Sequence, residues 1–231
     1  MMKSRFLGAA MAVGLSLVGW SQSANALVID WVDWTSTGIN TVNGTLASGS
    51  VAVTYTGPFV SPTQTGAGPN YWSEGNPKPY TNNAVIDNAP TAAEQIALNI
   101  AGQKVIVFSQ AVLNPVFAFN SWNGSNQSLT FAGGVVSTVL STGRGYWGQG
   151  TVLDTGAGFI TTGGEAHGVL QLTGSFTSIT FTDTQNEYWH GFTMGIEGLA
   201  PPTTAVPAPG TLALFGLGLL GLGFARRRKT A

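Results

Sequence analysis

Cysteine is absent from all 231 residues, so no disulfide staples the fold, and thiolate nucleophiles and zinc–thiolate centres are excluded. Charge is scarce as well, at 8% of the chain. Basic residues are fewest in the middle: Lys3 and Arg5 lie near the start, Arg226, Arg227, Arg228 and Lys229 near the end, and only Lys78, Lys104 and Arg144 between them. All ten acidic residues fall in that middle stretch, which therefore carries a net charge of −7 from three basic against ten acidic side chains. Such a surface repels phosphate backbones, so no nucleic-acid partner is expected. Histidine occurs twice, at His167 and His190, and no G-x-S-x-G elbow is present. With no catalytic constellation in view, the expectation is a protein that is not an enzyme and holds no cofactor or metal.

What the sequence does have is concentrated at its two ends. Lys3 and Arg5 precede a mostly apolar run from Phe6 to Trp20, and SQSANA follows with Ala24 and Ala26 at the small-residue positions of an A-x-A site. That order is the pattern of a secretory signal peptide, residues 1–26, with cleavage expected after Ala26. At the other end Gly210 to Ala225 is uncharged and is followed at once by the basic cluster. Residues 210–225 are expected to form a single transmembrane helix, and 226–231 a basic cytoplasmic tail. Sixteen helical residues at about 1.5 Å each reach roughly 24 Å, short of a hydrocarbon layer of about 30 Å. A transient anchor tolerates that shortfall better than a permanent one does.

Taken together, Pro207, Ala208, Pro209, Gly210 and Thr211, the Gly/Leu-rich run and Arg226, Arg227 and Arg228 resemble a PEP-CTERM sorting signal. The family places Pro-Glu-Pro ahead of its membrane stretch, and Ala208 departs from it at the glutamate position. The resemblance implies an exosortase-type processing enzyme as partner, an inner-membrane intermediate, and a final place at the cell surface or outside the cell. It also implies the setting of a Gram-negative bacterium that makes exopolysaccharide, with a biofilm matrix as the surroundings. A plain single-span anchor is the alternative. It would have no reason to carry the proline pair.

The body, residues 27–199, is expected to be an all-β, antiparallel sandwich or jelly-roll-like ectodomain, joined to the membrane by a stiff Pro-rich linker at 200–209. Ser50–Thr56, Phe176–Thr182 and Tyr188–Ile196 alternate apolar and polar with period two, as half-buried strands do. Asn43-Gly44, Asn123-Gly124, Gly133-Gly134 and Gly163-Gly164 are read as turns. Thr91 to Glu94 has capping-box spacing and is read as one helical turn. Gly57 to Asn88, with five prolines, is read as a long surface loop folded over a sheet edge.

Aromatic residues near Gly and Asn offer the most chemistry. Trp122, Trp147, Trp189 and Tyr146 are read as candidate carbohydrate-stacking residues, and Trp72 shares their loop-rich setting, with core filling as the alternative use of the group. His190 is expected to be a packed or rim residue, and His167, beside Glu165, a residue of a solvated glycine-rich turn. Asp183 and Glu187 in DTQNE are read as a polar hairpin loop. The leading expectation is an exported structural or adhesive protein of the envelope or matrix, with exopolysaccharide contact. The competing one is a secreted glycoside hydrolase, which needs two carboxylates facing each other and would draw on Asp183, Glu187 or Glu165.

Overall fold

Alternation and burial together decide where this chain becomes sheet. A computed structural model describes residues 26–46 and 49–199, and the expected signal peptide through residue 25, the linker, the membrane helix and the basic tail lie outside those residues. Among the described residues no helix is long and apolar enough to cross a membrane. The body is all-β, and every pairing between its strands is antiparallel.

The strands in chain order are β1 (Asp30–Trp31), β2 (Asp33–Gly38), β3 (Thr41–Leu46), β4 (Val51–Thr56), β5 (Val60–Thr65), β6 (Glu94–Leu98), β7 (Gly102–Leu113) and β8 (Val116–Trp122). They continue with β9 (Ser128–Phe131), β10 (Val136–Thr142), β11 (Gly150–Asp154), β12 (Gly158–Gly164), β13 (Ala166–Thr173), β14 (Ser175–Asp183), β15 (His190–Ile196) and β16 (Gly198–Leu199). One sheet runs β10-β13-β8-β15-β6-β5 with β1 on β15, and the other β11-β12-β9-β14-β7-β4-β3-β2 with β16 on β7. Their inner faces meet in a shared core. Phe117, Phe119 and Phe192 of the first sheet lie against Phe131, Phe159, Phe181 and Tyr55 of the second, with ring centroids 4.3 Å apart for Phe119 and Phe159. Each such ring, fully buried, contributes on the order of 1.5–3 kcal/mol.

The second sheet keeps a wet outer face, where Thr56 and Val107 reach solvent, but the first does not. Its outer side, formed by Val116, Ala118 and Val169, is roofed by the proline-rich stretch after β5, which brings Trp72, Tyr80 and Ile86 into a second core. That stretch is held by side chains that stand in for backbone. Asn88 accepts from Ile29 N (2.6 Å) and donates to Ile29 O (2.9 Å), as a paired strand residue would. Glu74 Oε1 accepts from the amides of Tyr80 and Thr81, both at 2.9 Å. The expected surface loop is thus a packed cover over a sheet face. Part of it, β5, is an edge strand whose register with β6 shifts between Val60 and Gln64, a setting in which Pro62 is tolerated.

Two local expectations are corrected. Asn43-Gly44 is not a turn but lies inside β3, where Gly44 leaves room for the Trp34 ring and the Asp33 carbonyl. The turn falls at Ile39-Asn40, with Asn40 at φ 53°. Thr91 to Glu94 makes no helical turn: Ala93 has φ 60° and Glu94 opens β6.

The two ends of the described chain emerge at one pole. Asp30 pairs with Ile196, at the far end of β15, and Leu199 pairs with Val112 one strand-end away. The start of β15 at His190 lies six residue steps distant, about 20 Å at roughly 3.4 Å per residue.

Candidate functional site

At that second pole four connections and one loop residue converge. The β10–β11 connection makes a tight two-residue turn, in which Gly145 N donates to Gly148 O (2.8 Å), and Tyr146 and Trp147 stand at its tip, each nearly half exposed. Gly145 is required there because a Cβ would sit 2.3 Å from the His167 ring. The β14–β15 connection supplies Tyr188 and Trp189, and Tyr71 comes from the cover over the first sheet. Tyr71 is the hub: its ring lies 5.1 Å from Tyr146, 6.1 Å from Trp147 and 5.4 Å from Trp189.

These rings border a cleft of about 280 Å³ lined by Ser121, Asn123, Trp147, Glu165, Tyr188 and Trp189. Glu165 sits between β12 and β13, half-buried, and is aimed by two donors. Ser121 Oγ donates to its Oε2 (2.7 Å) and Asn123 Nδ2 to its Oε1 (2.9 Å). A carboxylate offers about four lone-pair positions, so two remain for a ligand.

Trp122 does not belong to this surface, contrary to expectation. It is fully buried, donates from Nε1 to Gly191 O (3.1 Å) and packs on Phe159 and His190. The reason is a bulge. Ala166 pairs with Trp122 but Gly168 with Phe119, so β8 carries an extra residue there, and Ser121 takes φ 56°. The phase set by Phe117 and Phe119 inverts, turning Trp122 inward and Ser121 out to Glu165. Trp72, grouped with the others on the same sequence grounds, is buried too and donates from Nε1 to Glu94 O (3.0 Å).

The carboxylates of DTQNE, Asp183 and Glu187, also face inward, and the polar segment joins strands of different sheets and is no hairpin, while Thr184 and Asn186 stay exposed. Asp183 pairs through Oδ1 with Lys104 Nζ and through Oδ2 with His190 Nε2 (3.0 Å), and all three side chains are sealed from solvent. His190 Nδ1 meets Glu187 Oε1 at 2.5 Å, and Gln127 Nε2 donates to the same oxygen (2.7 Å). Both ring nitrogens therefore face carboxylates, and Lys104, His190, Asp183 and Glu187 form one buried quartet. Burial pulls the Lys104 ammonium down from its ordinary range, and Asp183 opposes that shift.

His167 is not in a solvated turn either. It is the second residue of β13, with its side chain on the covered face of the first sheet, and burial holds it down to about 4 from an ordinary 6.5. Its Nδ1 is 3.4 Å from the Tyr80 hydroxyl, while Glu165 turns away to Ser121 and Asn123. Among the described residues no group of three or more His, Asp or Glu could hold a metal ion.

Residues 205–229 match the family model described as the PEP-CTERM protein-sorting motif. The chain carries a PEP-CTERM sorting signal. It is therefore an exported protein addressed to an exosortase-type enzyme, passing through a membrane-anchored intermediate before processing. The matched stretch contains Pro207, Ala208, Pro209 and Gly210 and reaches Arg226, Arg227 and Arg228, so the PEP-CTERM match covers the expected motif residues with alanine at the central position. The signal speaks for the tail alone. No curated protein and no solved structure matches the chain, so the body must be read from its own residues.

Proposed function

We propose that the body is a non-enzymatic, structural or adhesive protein of the envelope or extracellular matrix that grips a glycan in the aromatic cleft. The observation that carries this reading is the ring cluster of Tyr71, Tyr146, Trp147, Tyr188 and Trp189 beside an oriented Glu165. Indole and phenol faces stack on the C–H face of a pyranose, and neighbouring polar groups bond its hydroxyls. The tail adds support, since the PEP-CTERM resemblance implies a polysaccharide-rich setting.

Hydrolysis finds less support. A glycosidase needs two carboxylates across the bond it breaks. Glu165 is the one carboxylate among the residues lining the cleft, while Asp183 and Glu187 are engaged by Lys104 and His190.

The reading extends to processing: cleavage after Ala26, removal of the tail at the Pro207–Pro209 motif, and residence at the cell surface or beyond. To test the central point, the full-length chain in detergent is exposed to a glycan array. Binding to at least one polysaccharide is expected, with Trp147→Ala and Trp189→Ala each weakening it by about tenfold, as the loss of one stacking ring does. Binding that survives both substitutions unchanged, or release of reducing ends from the bound polymer, would overturn the proposal.

A further inference from the structure

The cleft has a charge preference as well as a shape. Glu165 cannot donate a hydrogen bond, since an ionised carboxylate only accepts. Both its oxygens are already aligned by Ser121 and Asn123, neither of which brings charge. No Lys or Arg is among the six residues of the lining. Of the three cations of the body, Lys104 is sealed inside against Asp183, and Lys78 and Arg144 are not among the lining residues. A ligand entering the cleft therefore meets an acceptor with open lone pairs and no cation in the lining.

We infer that the cleft selects a glycan free of anionic groups, held through its hydroxyl donors, and that Glu165 is the selecting residue. This rests on the glycan-binding reading above. Vicinal hydroxyls of a stacked pyranose would donate to the two open positions on Glu165. A uronate, pyruvate ketal or sulfate in the same place would bring its negative charge against that carboxylate with no cation in the lining to offset it.

The test uses matched polymers in affinity electrophoresis of the full-length chain in detergent: dextran against carboxymethyl-dextran, and hydroxyethyl-cellulose against carboxymethyl-cellulose. For at least one backbone the uncharged polymer should retard the protein more strongly than its carboxymethylated partner, by about fivefold at low salt. Glu165→Gln keeps one acceptor oxygen and removes the charge, so it should shrink that ratio toward one. Raising the salt on the unaltered protein should shrink it too, a readout that stands even if the variant fails to fold.

Retardation by a carboxymethylated polymer that equals or exceeds its uncharged partner, and that Trp147→Ala abolishes, would leave the glycan reading standing and overturn the charge preference. A preference unmoved by Glu165→Gln and by salt would overturn it as well. Absence of retardation by all four polymers and on the glycan array would remove the reading on which it rests.

Discussion

Glu94 and His167 are both driven toward their neutral forms by burial, and because one is an acid and the other a base they pull stability in opposite directions with pH. Burial raises the Glu94 carboxyl from about 4.5 to about 7, assisted by nearby Asp33 and opposed by the amides of Trp34 and Gly66. Between those values the folded chain holds a proton the unfolded chain has lost, so this group's contribution falls as pH rises through the window. His167 behaves conversely. Its folded value of about 4 lies below 6.5, so its contribution is whole above 6.5 and is lost as pH falls toward 4. From about 4.5 to 6.5 the two offset each other. Replacing Glu94 with Gln, which can still accept from Trp34 N, should expose the histidine's loss. The melting temperature of the unaltered protein minus that of the variant should grow as pH drops from 7 to 4.5. A difference that stays constant over that range would refute the assignment.

At the scale of elements, the quartet ties β7, β14 and β15 to the connection before β15 that presents Tyr188 and Trp189. Lys104→Met removes the cation from Asp183 and leaves it His190 and the Gly102 amide, so it should cost up to about 3–5 kcal/mol in urea unfolding, the usual penalty for removing one partner of a buried ion pair. A loss near zero would mean that Asp183 finds water instead. How far these elements were legible differs from one to the next. β4 and β14 were readable because Val51, Val53 and Tyr55 alternate with Ala52, Thr54 and Thr56, and Ile179 and Phe181 with Ser178, Thr180 and Thr182, whereas β15 was found as a strand but is buried on both faces. Trp122 was misread because one bulged residue reverses which side it faces, and a bulge leaves no mark in composition. The inward turn of Asp183 and Glu187 was hidden for a related reason: their partners Lys104 and Gln127 lie about 60 to 80 positions away in the chain. Trp147 and Tyr146 stood out through the flanking glycines, whereas Tyr71 lay within a proline-rich stretch that gave no sign of folding back to meet them.

At the scale of the molecule, address and body are separate texts. The tail was legible as a unit because a proline pair, a greasy run and a basic end seldom coincide by chance, and the family match falls on the same residues. The chemistry of the body rests on meetings between distant residues, as where Tyr71 reaches Tyr146 and Trp189. Intact-mass measurement on protein recovered from a host with an exosortase should give a species that begins at Leu27 and lacks the residues after the Pro207–Pro209 motif. In a host without that enzyme the tail should remain. Recovery of the full 231-residue chain from both would contradict the processing scheme.

Leu27, the first residue of the expected product, already has its nitrogen bonded to Val85 O (2.8 Å) and its carbonyl bonded by Asp87 N (3.0 Å). An ammonium donates as readily as an amide, so trimming at this point leaves the join intact. The described chain enters through β1 and leaves through β16 at one pole, and the rings stand at the opposite one. On the proposed glycan-binding and processing scheme, anchored and liberated forms would present the same grip to their surroundings, so that maturation would alter where the molecule can travel and leave what it can hold unchanged.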